Sequence, residues 1–148
     1  MEGKPITILL VEDEEAHAVI VKRNLQDFKL ANKIYHVKDG QAALDYLYRL
    51  NIYSKSLSSP KPELILLDLR LPKIDGLEVL KTIKTDPELV RIPVVIMTTS
   101  SAEKDITQAY DNYANSYLVK PLDLQQFMPM LENLGFYWLL WNQSPNLV

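Results

Sequence analysis

Each of five short apolar runs in this chain is followed by an amphipathic segment, and that alternation leaves few folds open. ITILLV (6–11), IYHV (34–37), ELILLDL (63–69), IPVVIMT (92–98) and SYLV (116–119) read as strands. ELILLDL is apolar on both faces, as befits a parallel sheet with helices covering each side. A helical pattern runs from Glu14 to about Phe28 through Ala16, Val19, Ile20 and Arg23, with Asp13 as its cap. Asp39-Gly40 opens a second helix carrying Ala43, Leu44, Leu47 and Leu50. Gly76 to Lys84 carries Leu77, Leu80, Lys81 and Lys84, and further helices start near Ala102 and Leu122. NIYSKSLSSPKP (51–62) is polar and rich in Ser and Pro, hence a loop. Short connections between strand and helix imply right-handed crossovers. The fold class that follows is α/β, a doubly wound five-stranded parallel sheet.

In such sheets ligands bind beyond the carboxyl ends of the strands. Glu12, Asp13, Asp68, Thr98 and Lys120 all fall at those ends. Acids can hold Mg2+, the metal and a lysine can neutralise incoming oxygens, and Asp68 can act as nucleophile; together they suit covalent capture of a phosphoryl group. Each residue has a plainer reading when taken alone. Glu12 to Glu15 would be an acidic first turn that complements a helix dipole, and Asp68 a solvated strand end. Thr is common in strands, and Lys120 would be a surface ammonium. Their arrival in register favours the shared site. His17 is expected on a helix surface and His36 on a strand, exposed or half-buried.

Composition narrows the remaining classes. A chain of 148 residues suits one domain with one sizeable core. The net charge of −3, with both signs mixed along the chain, argues against nucleic acid as partner. Without cysteine there is no disulfide or thiolate site, and a cytoplasmic setting is favoured. No signal peptide is apparent, and no apolar stretch approaches the roughly 20 residues that span a bilayer.

The motifs LLVEDEE, LILLDLRLPKIDG, VVIMTTS and YLVKPL resemble the receiver domains of two-component response regulators of the chemotaxis-regulator type. A looser likeness is to the single-domain regulators that accompany phytochrome-type histidine kinases. It rests on SPKPELILLDL, RIPVVIMTTS and the aromatic FYWLLWN. The resemblance implies a flavodoxin-like receiver, (βα)5 with strand order 2-1-3-4-5, over residues 1–134, and an aromatic extension over 135–148. It implies a signalling protein and not an enzyme. Asp68 would accept the phosphoryl group from a sensor histidine kinase, possibly a phytochrome. Asp13, Glu12, Asp68 and the carbonyl of Arg70 would hold Mg2+. Thr98 and Lys120 would contact the phosphoryl oxygens, with Thr98 and Tyr117 forming the switch, and the Lys120–Pro121 bond would be cis. Arg70 and Thr99 depart from the usual residues beside the phosphoacceptor.

Output is expected through protein contact, since little chain remains after the fifth helix. Tyr110, Tyr113, Tyr117, Phe136, Trp138 and Trp141 are candidates for a homodimer interface, because large aromatics dominate interface energetics. A phosphorelay intermediate or phosphate sink is the alternative within the family. An Asp-nucleophile phosphatase would need a second acid where Arg70 stands. An FMN-binding domain would need a Ser, Thr and Gly loop where the chain is acidic.

Overall fold

The computed structural model describes residues 6–27, 33–55 and 59–135. Among them, strands β1 (Thr7–Val11), β2 (Lys33–Val37), β3 (Leu64–Leu67), β4 (Val94–Thr98) and β5 (Ser116–Val119) alternate with helices α1 (Glu15–Asp27), α2 (Gly40–Tyr48), α3 (Gly76–Thr85), α4 (Glu103–Asp111) and α5 (Leu124–Gly135). The strands form one parallel sheet in the order β2-β1-β3-β4-β5. This is the doubly wound parallel sheet expected from the alternating runs, in the strand order that the receiver resemblance implies.

Side-chain alternation divides the core in two. Leu9, Val11, Ile65, Leu67, Val94 and Ile96 face α2, α3 and α4, whereas Ile8, Leu10, Leu64, Leu66, Val95 and Met97 face α1 and α5. Every residue of β3 and β4 is buried, which accounts for their unbroken apolar sequence. The edge strands β2 and β5 are mostly half-buried and correspondingly more polar.

Several helix faces differ from the sequence expectation. In α1 the sheet is met by Ala18, Val21, Asn24 and Leu25, while Ala16 and Arg23 are exposed. A small residue and an amide on that stripe hide it from a reading based on bulk apolarity. The first helical bond joins Ala18 N–H to the Glu14 carbonyl, and the Glu14 N–H donates to Glu12 Oε2 at 3.3 Å, so Asp13 is not the cap. In α3 the buried residues are Gly76, Val79, Leu80 and Ile83; Lys81 is exposed, and Lys84 donates to the carbonyls of Val90 and Ile92. Helix α2 closes at Arg49, which adopts φ 56°, so Leu50 lies outside it and exposed; Tyr46 is the large buried side chain instead. The loop after α2 is tied down at Ser59, whose buried hydroxyl donates to the Tyr53 carbonyl at 2.7 Å. Phe28, Phe136, Trp138 and Trp141 lie outside the described residues.

Both Asp-Gly pairs mark close approaches of backbone. A Cβ at Gly40 would stand 1.8 Å from the Ile74 carbonyl oxygen, and one at Gly76 2.1 Å from that of Asp68. The turn after β3 thus closes directly against Asp68. No helix among the described residues is long and apolar enough to cross a membrane.

Candidate phosphoryl-accepting site

Because β1, β3, β4 and β5 run in the same direction, their carboxyl ends bring Glu12, Asp68, Thr98 and Lys120 to one edge of the sheet. All four are buried, at 2%, 7%, 0% and 3% exposure, which is unusual for acids and a lysine unless they are paired. The Lys120 ammonium pairs with Glu12, donates to Asp68 Oδ2 at 3.0 Å and donates to His17 Nδ1 at 3.1 Å. The Lys120 backbone N–H donates to the Thr98 carbonyl at 2.7 Å, extending the β4–β5 ladder by one bond and fixing where the side chain enters. The Lys120–Pro121 peptide is trans, contrary to the sequence expectation; no cis bond occurs among the described residues. Trans is the ordinary lower-energy form even before proline.

The two buried acids titrate apart. Burial pushes Glu12 up to about 7, against the pull of the Lys120 hydrogen bond and charge. Burial also pushes Asp68 up, but the Lys120 charge and hydrogen bonds from Lys120, Glu12 and the Arg70 N–H outweigh it and hold the carboxyl below its ordinary value. Of the two acids, Asp68 is therefore favoured as the anion and Glu12 is the one that takes up a proton first as pH falls. An anionic carboxylate is what a nucleophile requires.

Asp13 is exposed at the mouth. Glu12, Asp13 and Asp68 each offer an oxygen, all within 4.8 Å of one another. Three hard oxygen donors in that spacing fit a small divalent cation. Thr98 Oγ1 is buried with no hydrogen-bond partner among the described residues, a donor on the same edge of the sheet that an added anionic oxygen would satisfy. A pocket of about 160 Å³ opens onto Asp68, lined by Asp13, His17, Arg70, Thr99 and Lys120 among others. A larger cavity of about 300 Å³ lies between α2 and the Lys61-Pro62 segment, remote from this acid cluster.

Two histidines belong to the surroundings of the site. His17 is half-buried and not a surface residue: its ring stacks on Phe127 of α5 at 5.9 Å and its Nδ1 takes a hydrogen from Lys120. Burial first, then the Lys120 charge, hold it below its ordinary value, which suits a neutral acceptor. The His36 Nε2–H donates to the Glu12 carbonyl at 2.7 Å, and the Glu12 N–H donates to the Val37 carbonyl at 3.0 Å, so β2 clamps the acid pair from behind. Neither role shows in the sequence, where each is a lone histidine. His17 stands one helical turn after Asp13, the only hint available.

Tyr117 is half-buried and donates its hydroxyl to the Ser100 carbonyl at 2.9 Å. Tyr110 and Tyr113 are exposed on or just after α4. Arg70 donates its N–H to Asp68 Oδ1 at 3.2 Å and its guanidinium to Asp105 Oδ2 at 2.6 Å. Asp105 and Ser100 had no signal in the sequence.

Comparison with known proteins agrees with this geometry. A family model described as the response regulator receiver domain matches residues 8–132. A probable methanogenesis regulatory protein, FilR2 of Methanothrix harundinacea, is 46% identical over 141 residues, 95% of this chain and 88% of FilR2. The response regulator Rcp1 of Synechocystis is 42% identical over 91% of this chain and 90% of its own. The solved Mn2+-bound form of Rcp1 superposes with a TM-score of 0.90, covering 95% of this chain and 99% of that one. The phosphorylated cyanobacterial phytochrome response regulator RcpA superposes with a TM-score of 0.91 at 38% identity, covering 96% and 99%.

Proposed function

The chain belongs to the response regulator receiver family, and from that premise we propose that it is a single-domain response regulator taking its phosphoryl group on Asp68 from a sensor histidine kinase. The observation that carries the reading is the Asp68 carboxylate, held anionic, 3.0 Å from a buried ammonium and grouped with two further acids. In the transfer an Asp68 oxygen attacks phosphorus, the O–P bond forms, and the N–P bond of the kinase phosphohistidine breaks. The departing imidazole keeps the bonding pair and takes up a proton.

Glu12, Asp13, Asp68 and the carbonyl of Arg70 are the groups that would hold Mg2+. Bound there, the cation offsets negative charge on the transferring oxygens. Lys120 neutralises Asp68 before transfer and holds a phosphoryl oxygen after it. The Thr98 hydroxyl donates to a second oxygen. The phosphatase reading has no support, because Arg70, a cation that cannot act as general acid–base, occupies the place of its second acid.

Residues 1–134 are proposed as the receiver and 135–148 as an association element of a homodimer, with Tyr110, Tyr113 and Tyr117 as further members of the interface. The likeness to Rcp1 and RcpA supports a phytochrome-type kinase as the donor. Phosphotransfer from each histidine kinase of the source organism, with and without EDTA, tests this reading. Fast, chelator-sensitive transfer from a phytochrome-type kinase is expected. Transfer from a kinase without a photosensor would replace that partner, and transfer insensitive to EDTA would remove the metal.

A further inference from the structure

The Asp68 pocket has a second exit toward α4 that does not pass through Thr98. Arg70 touches the phosphoacceptor through its backbone, N–H to Asp68 Oδ1 at 3.2 Å, while its side chain reaches across the pocket mouth to Asp105 Oδ2 at 2.6 Å. Asp105 lies in the first turn of α4. The same Oδ2 accepts from the Ser100 hydroxyl at 2.5 Å, and that hydroxyl oxygen accepts the Ala102 N–H at 3.3 Å. The Ser100 carbonyl accepts the Tyr117 hydroxyl at 2.9 Å. Asp68, Arg70, Asp105, Ser100 and Tyr117 therefore form one continuous line of contacts.

The two ends of the Arg70–Asp105 pair are unequal. The Asp105 side chain is 11% exposed and anchored by Ser100, whereas the Arg70 side chain is 62% exposed. The guanidinium is the end free to move. An ion pair with one partner this exposed is weakly held. A phosphoryl group on Asp68 would bring about two negative charges and three acceptor oxygens into the pocket that Arg70 itself lines. A planar guanidinium suits such oxygens better than it suits one carboxylate oxygen.

We propose that Arg70 is a second reader of the phosphoryl group: it leaves Asp105 for the phosphoryl oxygens and so removes one of the two side-chain ties on Asp105, loosening the first turn of α4 and the 99–102 segment under Tyr117. This rests on Asp68 being the phosphoacceptor. It is distinct from any metal contact of the Arg70 carbonyl, which side-chain substitution leaves in place.

The test is hydrogen exchange at the amides of residues 100–106 in the full chain, with Mg2+ alone and with Mg2+ and beryllofluoride, a phosphoryl mimic. Loading is followed separately by the fluorine resonance of the bound mimic. In the wild type, loading should speed exchange there about two- to fivefold, which corresponds to about 0.4–1 kcal/mol. Arg70→Gln and Asp105→Asn should show that faster exchange before loading and gain nothing further from it. If loaded Arg70→Gln accelerates as much as the wild type does, from an unchanged baseline, the proposal is overturned. So too if the wild type loads without any change at 100–106. Failure of the wild type to load at all would be a different failure, removing the phosphoacceptor assignment and this proposal with it.

Discussion

Lys120→Met removes one charge from a buried site and leaves the side-chain length nearly unchanged. In the wild type the ammonium, 3% exposed, pairs with Glu12 and Asp68. Losing one partner of a buried pair costs about 3–5 kcal/mol, because the remaining charge is left uncompensated in low dielectric. The cost must depend on pH. Lys120 lowers both acids, so without it Glu12 rises above its wild-type value of about 7, and burial is free to raise Asp68. An acid whose folded pKa lies above its unfolded one binds its proton more tightly in the native state, so stability falls as pH rises between the two values. At pH 8 both carboxylates are pressed to ionise, and the full penalty of about 3–5 kcal/mol applies. At pH 5.5 protonation relieves about half of it. For a chain of this size each kcal/mol shifts the midpoint by about 2–4 °C, giving a loss on the order of 6–20 °C at pH 8. Thermal unfolding in EDTA at the two pH values measures this, and added Mg2+ should restore part of the loss at pH 8. A variant as stable as the wild type at pH 8 without metal would refute the buried pairing. A loss independent of pH would refute the titration argument.

Four more outcomes are expected. Thr98→Val replaces a buried, unpartnered hydroxyl by a methyl group of similar shape, so the resting protein should unfold at a temperature a few degrees higher, about 1–2 kcal/mol, while its response to beryllofluoride weakens; a lower midpoint would show that the hydroxyl is satisfied at rest. Glu12 is raised from 4.5 to about 7 in the folded chain, so its contribution, measured as the metal-free stability of the wild type minus that of Glu12→Gln, should decline as pH rises through that window, against the opposite slope from the lowered His17 and His36. Mg2+ must displace the same proton, and its affinity by calorimetry should climb by at most about tenfold per pH unit below 7 and flatten above; an affinity flat from pH 6 to 8 would contradict the raised acid. Gly76→Ala drives a methyl to within 2.1 Å of the Asp68 carbonyl oxygen and should cost at least about 1–3 kcal/mol by denaturant unfolding, with phosphoryl uptake reduced because Asp68 itself must shift; an unperturbed variant would show that the turn can give way freely.

The sheet was legible because β3 and β4 are buried on both faces and so carry unbroken apolar runs. The acids, Thr98 and Lys120 were legible for a topological reason: parallel strands end at one edge, so residues far apart in the chain are sorted to one place. Helix faces were less so. The buried stripe of α1 includes Ala18 and Asn24, and that of α3 begins with Gly76, residues that hydropathy passes over. The network of His17, His36, Asp105 and Ser100 was barely legible, with only the spacing of His17 from Asp13 as a hint. Each makes its contact across 5 to 103 positions of sequence, through polar side chains with no periodicity to betray them.

The most direct measurement is the identity of the modified residue. The full chain is phosphorylated by a phosphorylated histidine kinase in Mg2+, the acyl phosphate is reduced with borohydride, and peptides are mapped by mass spectrometry. The carbonyl carbon of the modified aspartate is reduced to an alcohol, leaving homoserine at that position alone. Homoserine at Asp68, absent from Asp68→Asn and from samples in EDTA, is the result expected. Homoserine at Asp13 or elsewhere with Asp68 intact, or label retained in Asp68→Asn, would contradict the central claim.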